Sequence, residues 1–130
     1  MNADIQAELL TQTERLLQAI AAGDWDTYEL LCDPTLTAFE PEARGHLVSG
    51  MEFHRFYFTL DRPRTASNTT LAAPRVRLLS DDAAVVSYVR LVQSVGEDGQ
   101  PRTTRFEETR VWQRQDGRWR HVHFHRSANS

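Results

Sequence analysis

The second half of the sequence consists of long segments in which alternate side chains share a face, joined by short turns that contain aspartate and glycine. Residues 83–95, 101–115 and 118–127 each have the valine, threonine and aromatic content of a β-strand. Asp98-Gly99 lies between the first two segments, and Asp116-Gly117 alone separates the last two, which is a strong hairpin signal. Consecutive strands of this length predict an antiparallel sheet that another layer must cover on at least one face.

Helices predicted in the first half can supply that cover. Residues 4–22 carry apolar side chains at helical spacing, and Gly23 ends the helix. A second short helix follows, with Asp24 as its N-cap, and Asp33-Pro34 stops it. A third helix, rich in aromatic residues, is predicted over residues 50–60. Helices first and hairpins later indicate an α+β fold with the helices packed on one face of a curved sheet.

The segments between these elements are predicted to be short strands or irregular backbone. Residues 36–39 read as a short strand, residues 40–49 as irregular and residues 61–67 as a polar loop. A further strand is predicted over residues 69–79, where Pro74 marks either a bulge or a sheet edge.

Composition excludes several classes of protein. A chain of 130 residues that is 40% hydrophobic and 25% charged is expected to form one domain, residues 1–130. Its net charge of −3 argues against a general affinity for nucleic acid or acidic membranes. It has no apolar run of membrane-spanning length and no signal-peptide pattern, so a cytoplasmic protein is expected. All 15 basic residues are arginine, which excludes lysine chemistry, and the single cysteine, Cys32, is expected to be buried.

Strand alternation places an arginine among bulky apolar neighbours in each of the three long strands. Arg90 follows Val86 and Tyr88 on one face of its strand, and Arg110 and Arg126 lie in similar rows. If the strands pair in sequence order, these three arginines converge inside the curved sheet. The neighbours of Arg110 are Phe106, Glu108 and Trp112, and those of Arg126 are Val122 and Phe124.

A buried arginine keeps its charge and therefore needs an anionic partner. Glu108 shares a face with Arg110 and is one internal candidate, and Glu40 and Glu107 are others. The external candidate is a small carboxylate or similar anion held by the guanidinium groups. Three arginines and only one carboxylate on the same face give a net positive charge, which favours an anionic ligand. The alternative is that each arginine pairs with a glutamate or reaches water.

The central strand, residues 83–95, is largely apolar on both faces. Val86 and Tyr88 represent one row and Val85 and Val89 the other. Helices can cover only one of these faces, and a second copy of the chain is the economical cover for the other. The sequence therefore predicts a homodimer.

Three alternating histidines, His121, His123 and His125, are expected to share one face of the last strand with Trp119. Such a row could in principle bind Zn²⁺. Neighbours on one strand face are spaced too far apart for all three to reach one ion easily. We therefore predict no metal site.

Catalytic motifs are scarce in the sequence. It contains no GxSxG, P-loop, GxGxxG or HExxH pattern, and the adjacent Glu107 and Glu108 point to opposite faces of a strand. His54 and Tyr28 are either core side chains or polar groups that point into a pocket. We expect a binding module without a cofactor or catalytic residue rather than an enzyme, and His54 is the candidate base if there is turnover.

Six groups of residues together match one known pattern. They are residues 33–34 with 36–43, 50–51 with 53–58, 101–103, 107–112, 116–117 with Trp119, and 122–127. In these runs the chain resembles the association (hub) domain of calcium/calmodulin-dependent protein kinase II. The resemblance covers nearly the whole chain, and residues 61–67 depart from it.

The resemblance implies a cone-shaped fold of the nuclear transport factor 2-like superfamily, dimers that assemble further into rings, and a pocket for small carboxylates. The sequence contains no kinase catalytic domain, so we expect a stand-alone, bacterial relative of the hub. A small-molecule isomerase, dehydratase or hydrolase of the same fold is the alternative, and a scaffold with a vestigial pocket is a third hypothesis. The positions that match the family's pocket are Tyr28, His54, Arg90, Arg110 and Arg126.

Overall fold

Three helices occupy the first half of the chain, as predicted. The computed structural model describes residues 2–60 and 66–128, without the side chain of residue 128, so most of the predicted 61–67 loop lies outside the described residues. No helix in the described part of the chain combines the length and apolarity that a membrane span requires. The helices are α1 (Asn2–Ala22), α2 (Trp25–Leu31) and α3 (Glu52–Phe58).

Local sequence features explain where the helices begin and end. Gly23, with a φ of 70°, ends α1. The carboxylate of Asp24 accepts a hydrogen bond from the backbone N–H of Thr27 at 3.2 Å, which caps α2 as predicted. The third helix is shorter than the predicted 50–60 because Gly50 has a φ of 85°, outside the helical region.

The described residues form six strands: β1 (Cys32–Phe39), β2 (Val48–Ser49), β3 (Ser67–Ser80), β4 (Ala83–Val95), β5 (Pro101–Gln115) and β6 (Arg118–Ala128). These strands make one sheet in the order β2-β1-β6-β5-β4-β3. Neighbouring strands are antiparallel except β1 and β6, which run parallel. The two predicted hairpins, β4–β5 and β5–β6, are confirmed, and so is the α+β class.

Two predicted segments differ in detail. The strand predicted at 36–39 starts at Cys32, directly after α2, since Pro34 favours extended backbone just before it. The segment 40–49, predicted to be irregular, contains one turn of 3-10 helix at Pro41–Ala43 and the strand β2. Both alternatives for Pro74 are confirmed. It lies on an edge strand, β3, and the register shifts between Ala72 and Arg75, which flank it.

A β-bulge in β6 makes one prediction wrong. Val111 pairs with His123 but Trp112 pairs with His121, so β6 carries one extra residue, Val122, at this point. The bulge turns His121 inward, where it is fully buried, and leaves His123 and His125 on the opposite face. The three histidines therefore do not share a face, because a one-residue shift exchanges the two faces of a strand. Val122 likewise does not share the face of Phe124 and Arg126.

The core lies between the helices and the inner face of the sheet. Along β4, the inward residues Ala84, Val86, Tyr88 and Arg90 are at most 7% exposed. The first three of these residues pack in one apolar cluster with Leu9, Leu16 and Leu17 of α1 and with Trp112 and Phe124 of the sheet. The outward residues of the same strand, at positions 85, 87, 89 and 91, are only half-buried in the single chain.

Candidate functional site: an arginine-lined pocket

A cavity of about 110 Å³ opens between the helices and the inner face of β4, β5 and β6. The strands supply its arginines and Phe124, while α2, α3 and the turn after β1 supply the facing wall. All five residues that the sequence suggested line this one cavity. They are Tyr28, His54, Arg90, Arg110 and Arg126.

Arg110 forms the floor and is 1% exposed. Its Nε donates to the hydroxyl of Tyr88 at 2.8 Å, and its Nη2 donates to Oε1 of Glu108 at 3.2 Å. The guanidinium carbon lies 4.5 Å from the centre of the Phe124 ring. Strand pairing explains the contact with Phe124, because this residue lies directly opposite Arg110 on the neighbouring strand.

His121 is the last partner of Arg110, and this contact was not predicted from the sequence. Its Nε2 lies 3.3 Å from Nη1 of Arg110 and its Nδ1 lies 3.4 Å from Sγ of Cys32. Since guanidinium only donates, Nε2 accepts and the ring is neutral with its proton on Nδ1. Burial and the charge of Arg110 lower the pKa of His121 well below its ordinary value. Burial raises the pKa of Cys32 to about 12, so this thiol is inert and buried, as predicted.

Glu108 is the central carboxylate of the floor, with its side chain at 0% exposure. It accepts from the hydroxyl of Tyr88 at 2.6 Å, and its Oε2 lies 2.9 Å from Nη2 of Arg90. Burial alone would raise the pKa of Glu108. The charges of Arg110 and Arg90 and the Tyr88 hydrogen bond outweigh burial and lower it. Glu108 is thus an internal partner of two arginines, as the sequence suggested for one.

Arg90 is less completely paired than Arg110. It is 7% exposed and its guanidinium lies 4.8 Å from the centre of the Phe106 ring. The Glu108 contact has the distance of an ion pair but not hydrogen-bond alignment, and Nε of Arg90 has no hydrogen-bond partner among the described residues. Burial and the charges of Arg110 and Arg126 lower the pKa of Arg90 despite Glu108. Arg90 is therefore repelled by both of the other arginines of the cavity.

Arg126 lies at the rim and contacts Glu42, a residue that the sequence analysis missed. Nη2 of Arg126 donates to both carboxylate oxygens of Glu42, which belongs to the 3-10 turn Pro41–Ala43. Partial burial would raise the pKa of Glu42, but the hydrogen bond and charge of Arg126, together with the charge of Arg90, lower it. The two residues are 84 positions apart, so no local pattern could have linked them.

His54 faces the same cavity from α3 and is 6% exposed. Its ring contacts Tyr28 and Phe124, with centroids 6.3 Å and 5.4 Å away. Nε2 lies 3.4 Å from Oε1 of Glu40 without hydrogen-bond alignment, and neither ring nitrogen has a hydrogen-bond partner in the part of the chain that is described. Tyr28 is 2% exposed, and burial raises its pKa well above the ordinary value.

The charges of the site differ from the expected surplus of positive charge. Glu42 and Glu40 join Glu108, so three carboxylates oppose three arginines. Glu107, another predicted partner, is exposed on the outer face of β5 and forms no ion pair among residues 2–60 and 66–128. Formal charge among these six groups is therefore balanced, while Nε of Arg90 and Nε of Arg126 have no hydrogen-bond partner in the described residues.

Metal ligation has no support in the geometry. The described ranges contain no group of three or more His, Cys, Asp or Glu side chains placed to hold a metal ion. The β6 bulge separates the only histidine row that the sequence offered.

The fold is of the nuclear transport factor 2-like type. A nuclear transport factor 2-like superfamily protein from Salmonella enterica superposes with a TM-score of 0.78 over 100% of this chain and 94% of that chain, at 24% identity. This likeness confirms the predicted fold.

More narrowly, the chain belongs to the calcium/calmodulin dependent protein kinase II association domain family, whose profile matches residues 5–130. It is thus an oligomerisation (hub) domain of this type. The hub homology domain of Chlamydomonas reinhardtii superposes with a TM-score of 0.91 at 49% identity, over 97% of this chain and 99% of that chain. The association domain of the C. elegans kinase gives a TM-score of 0.92 at 43% identity, over 97% of both chains.

The curated relatives are much longer proteins. The delta subunit of calcium/calmodulin-dependent protein kinase type II from Oryctolagus cuniculus is 50% identical over 124 residues, which is 94% of this chain and 23% of that protein. The chain therefore spans about a quarter of the length of the curated relatives it matches.

Proposed function

We propose that this hub domain forms homodimers through the outer face of its sheet and binds a small carboxylate in the pocket on the inner face. Further assembly of the dimers into a ring is the extension that the family suggests. The two parts of the proposal concern opposite faces of one sheet, so they can be tested separately.

The outer face supports the first part. Val85, Val89 and Leu91 form an apolar row in the middle of the sheet that is only half-buried in the single chain. A second copy packed on this row removes apolar surface from water without exposing a new edge.

A charge in this row tests the interface. Val89→Arg is expected to convert an oligomer into a monomer, because an unpaired guanidinium must then be buried between subunits. Gln93→Arg is the matched control, since it lies on the same strand and face but is already exposed. Light scattering after size exclusion gives the mass, and a wild-type monomer at micromolar concentration contradicts the proposal.

The carboxylate part is carried by unpaired donors in the cavity. Among the side chains that line the cavity, four buried nitrogens have no hydrogen-bond partner within the described residues. They are Nε of Arg90 and Nε of Arg126, which can only donate, and Nδ1 and Nε2 of His54, at least one of which carries a proton. Buried donors left unpaired destabilise a protein by roughly 1–3 kcal/mol each, so an acceptor from solution is favoured here. A carboxylate offers two acceptor oxygens that match guanidinium geometry, and the cavity volume restricts it to a small molecule.

Calorimetry with butyrate tests this binding, and butyramide is the uncharged comparison. Arg126→Ala is expected to weaken butyrate binding about tenfold or more, because a charge-assisted hydrogen bond contributes roughly 1.5–3 kcal/mol. Arg102→Ala removes an exposed arginine outside the cavity and serves as the control. Equal affinity for butyrate and butyramide, or no effect of Arg126→Ala, contradicts carboxylate recognition.

A second candidate function is catalysis by His54, and its contact with Glu40 motivates it. A buried histidine beside a carboxylate can act as a general base on a bound acid. Proton NMR in D₂O on 3-hydroxy and unsaturated carboxylates detects isomerisation or dehydration. Activity of the wild type that His54→Ala removes supports this function, and unchanged activity of His54→Ala excludes His54 from it.

A further inference from the structure

The two glutamates that pair with arginine in the pocket are held very differently. Glu108 projects from the middle of β5 and contacts Tyr88, Arg90 and Arg110. Glu42 contacts Arg126, and its side chain is 38% exposed. One carboxylate is therefore fixed within the sheet, while the other is attached at its rim.

The segment that carries Glu42 is a single turn outside the sheet. Pro41–Ala43 forms three residues of 3-10 helix with no side-chain cap at its start. It is followed by Arg44 with a φ of 56° and Gly45 with a φ of 91°. The hydrogen-bond geometry of a 3-10 helix is in general poorer than that of an α-helix. A three-residue turn of this kind therefore rearranges more readily than a strand does.

The carboxylate of Glu42 pairs with one of the arginines that the proposed ligand would bind. It lines the cavity together with the three arginines and takes hydrogen bonds from Nη2 of Arg126 with both of its oxygens. The charges of both Arg126 and Arg90 lower the pKa of Glu42, so this carboxylate interacts with two of the three arginines. A ligand carboxylate that binds Nε and Nη2 of Arg126 with its two oxygens needs the Nη2 donor that Glu42 occupies, so the two carboxylates compete for this edge of the guanidinium.

We infer that Glu42 is an internal, displaceable occupant of the anion site, which holds Arg126 in the free protein and gives way to a bound carboxylate. The inference rests on the proposed carboxylate function. The turn Pro41–Ala43 then acts as an autoinhibitory strap, and the affinity that is measured equals the intrinsic affinity reduced by the stability of the Glu42–Arg126 pair.

Glu42→Gln tests the displacement with butyrate as the probe. The amide retains the size of the side chain but cannot form the ion pair, so butyrate should bind to this variant up to about fivefold more tightly than to the wild type. Glu40→Gln is the matched control, because it removes the same charge from the same cavity without touching Arg126. Equal gains in the two variants indicate general electrostatics and overturn the displacement.

Carboxyl-carbon NMR follows the displacement in the wild-type protein, with the Glu42 signal assigned by its loss in Glu42→Gln. Without ligand, Glu42 should titrate below the ordinary glutamate range. With saturating butyrate its pKa should return to that range, since Arg126 no longer pairs with it. An unchanged Glu42 titration under saturation overturns the inference.

The outcomes separate this inference from the function on which it rests. Butyrate binding to the wild type with no gain in Glu42→Gln overturns the strap and leaves the carboxylate function intact. Binding to Glu42→Gln alone supports the strap in its strongest form. Absence of binding to both proteins overturns the carboxylate function and the strap together.

Discussion

The floor and the rim of the pocket hold their arginines in opposite ways. On the floor, Glu108 has a fully buried side chain and contacts Arg90 and Arg110 from within the sheet. At the rim, Arg126 meets Glu42, which is 38% exposed and lies on a short turn. An ion pair of the first kind is part of the fold, whereas one of the second kind is free to exchange partners.

Solvation explains this difference. A buried charge that loses its partner cannot recover its hydration, so the floor is stable only when it is complete. A charge at the rim recovers water when its partner leaves, and the free energy of the pair is correspondingly small. Three experiments test how sharply the floor and the rim are divided.

The largest effect is expected from Glu108→Ala. It leaves the buried guanidinium groups of Arg90 and Arg110 without their carboxylate, which should lower the free energy of unfolding by about 3–5 kcal/mol. Urea unfolding followed by circular dichroism measures the loss. Glu107→Ala is the matched control, because the neighbouring residue is exposed and the change should stay within about 0.5 kcal/mol.

If Glu108→Ala fails to fold, Glu108→Gln provides the measurement. The amide can still accept from Tyr88 and keeps the volume, so a folded and weakened protein is expected. A Glu108→Gln protein as stable as the wild type would show that the floor does not depend on the ion pair.

The second effect is a loss of stability between pH 6.5 and 5 that comes from the floor. The pKa of His121 is lowered well below 6.5, so the unfolded chain takes up a proton in this range that the folded chain refuses. Stability should therefore fall with decreasing pH, by up to about 1.4 kcal/mol per pH unit for this group. Glu108 and Glu42 have lowered pKa values too, but their contribution is lost only at more acidic pH.

His121→Gln should reduce the pH dependence of stability in that range, because no proton is taken up at the position in either state. His123 keeps its own contribution, since burial and the charge of His125 lower its pKa too. His46→Gln is the control, since His46 is exposed and outside the floor. Thermal unfolding at pH 7, 6 and 5 compares the three proteins. An unchanged slope in His121→Gln contradicts the assignment of a neutral histidine beside Arg110.

The floor could be predicted from the sequence because it lies on regular strands. Alternation in β4 and β5 places Arg90, Glu108 and Arg110 on one face, and the structure keeps that register without interruption through the β4–β5 pair. The same rule failed in β6, where Val122 adds a residue and exchanges the faces of His121 and His123. Nothing in the local composition marks such a bulge.

The rim could not be predicted in the same way. Glu42 meets Arg126 through a turn whose position depends on the whole fold, and periodicity carries no information about it. Arg126 itself was assigned to the correct face because Phe124 and Arg126 both follow the bulge. Periodicity therefore predicts side-chain direction within an unbroken strand, and tertiary contacts decide which loops meet it.

The smallest effect on stability is expected at the rim. Arg126→Ala and Glu42→Ala should each change the free energy of unfolding by less than about 1 kcal/mol, because the pair is partly solvated and its members regain water. Arg102→Ala, at another exposed ion pair, should give a similar value. Urea unfolding of the three variants measures these changes. A loss at the rim as large as that of Glu108→Ala would remove the division between floor and rim, since Glu42 would then be as firmly built into the fold as Glu108 and could not give way to a ligand.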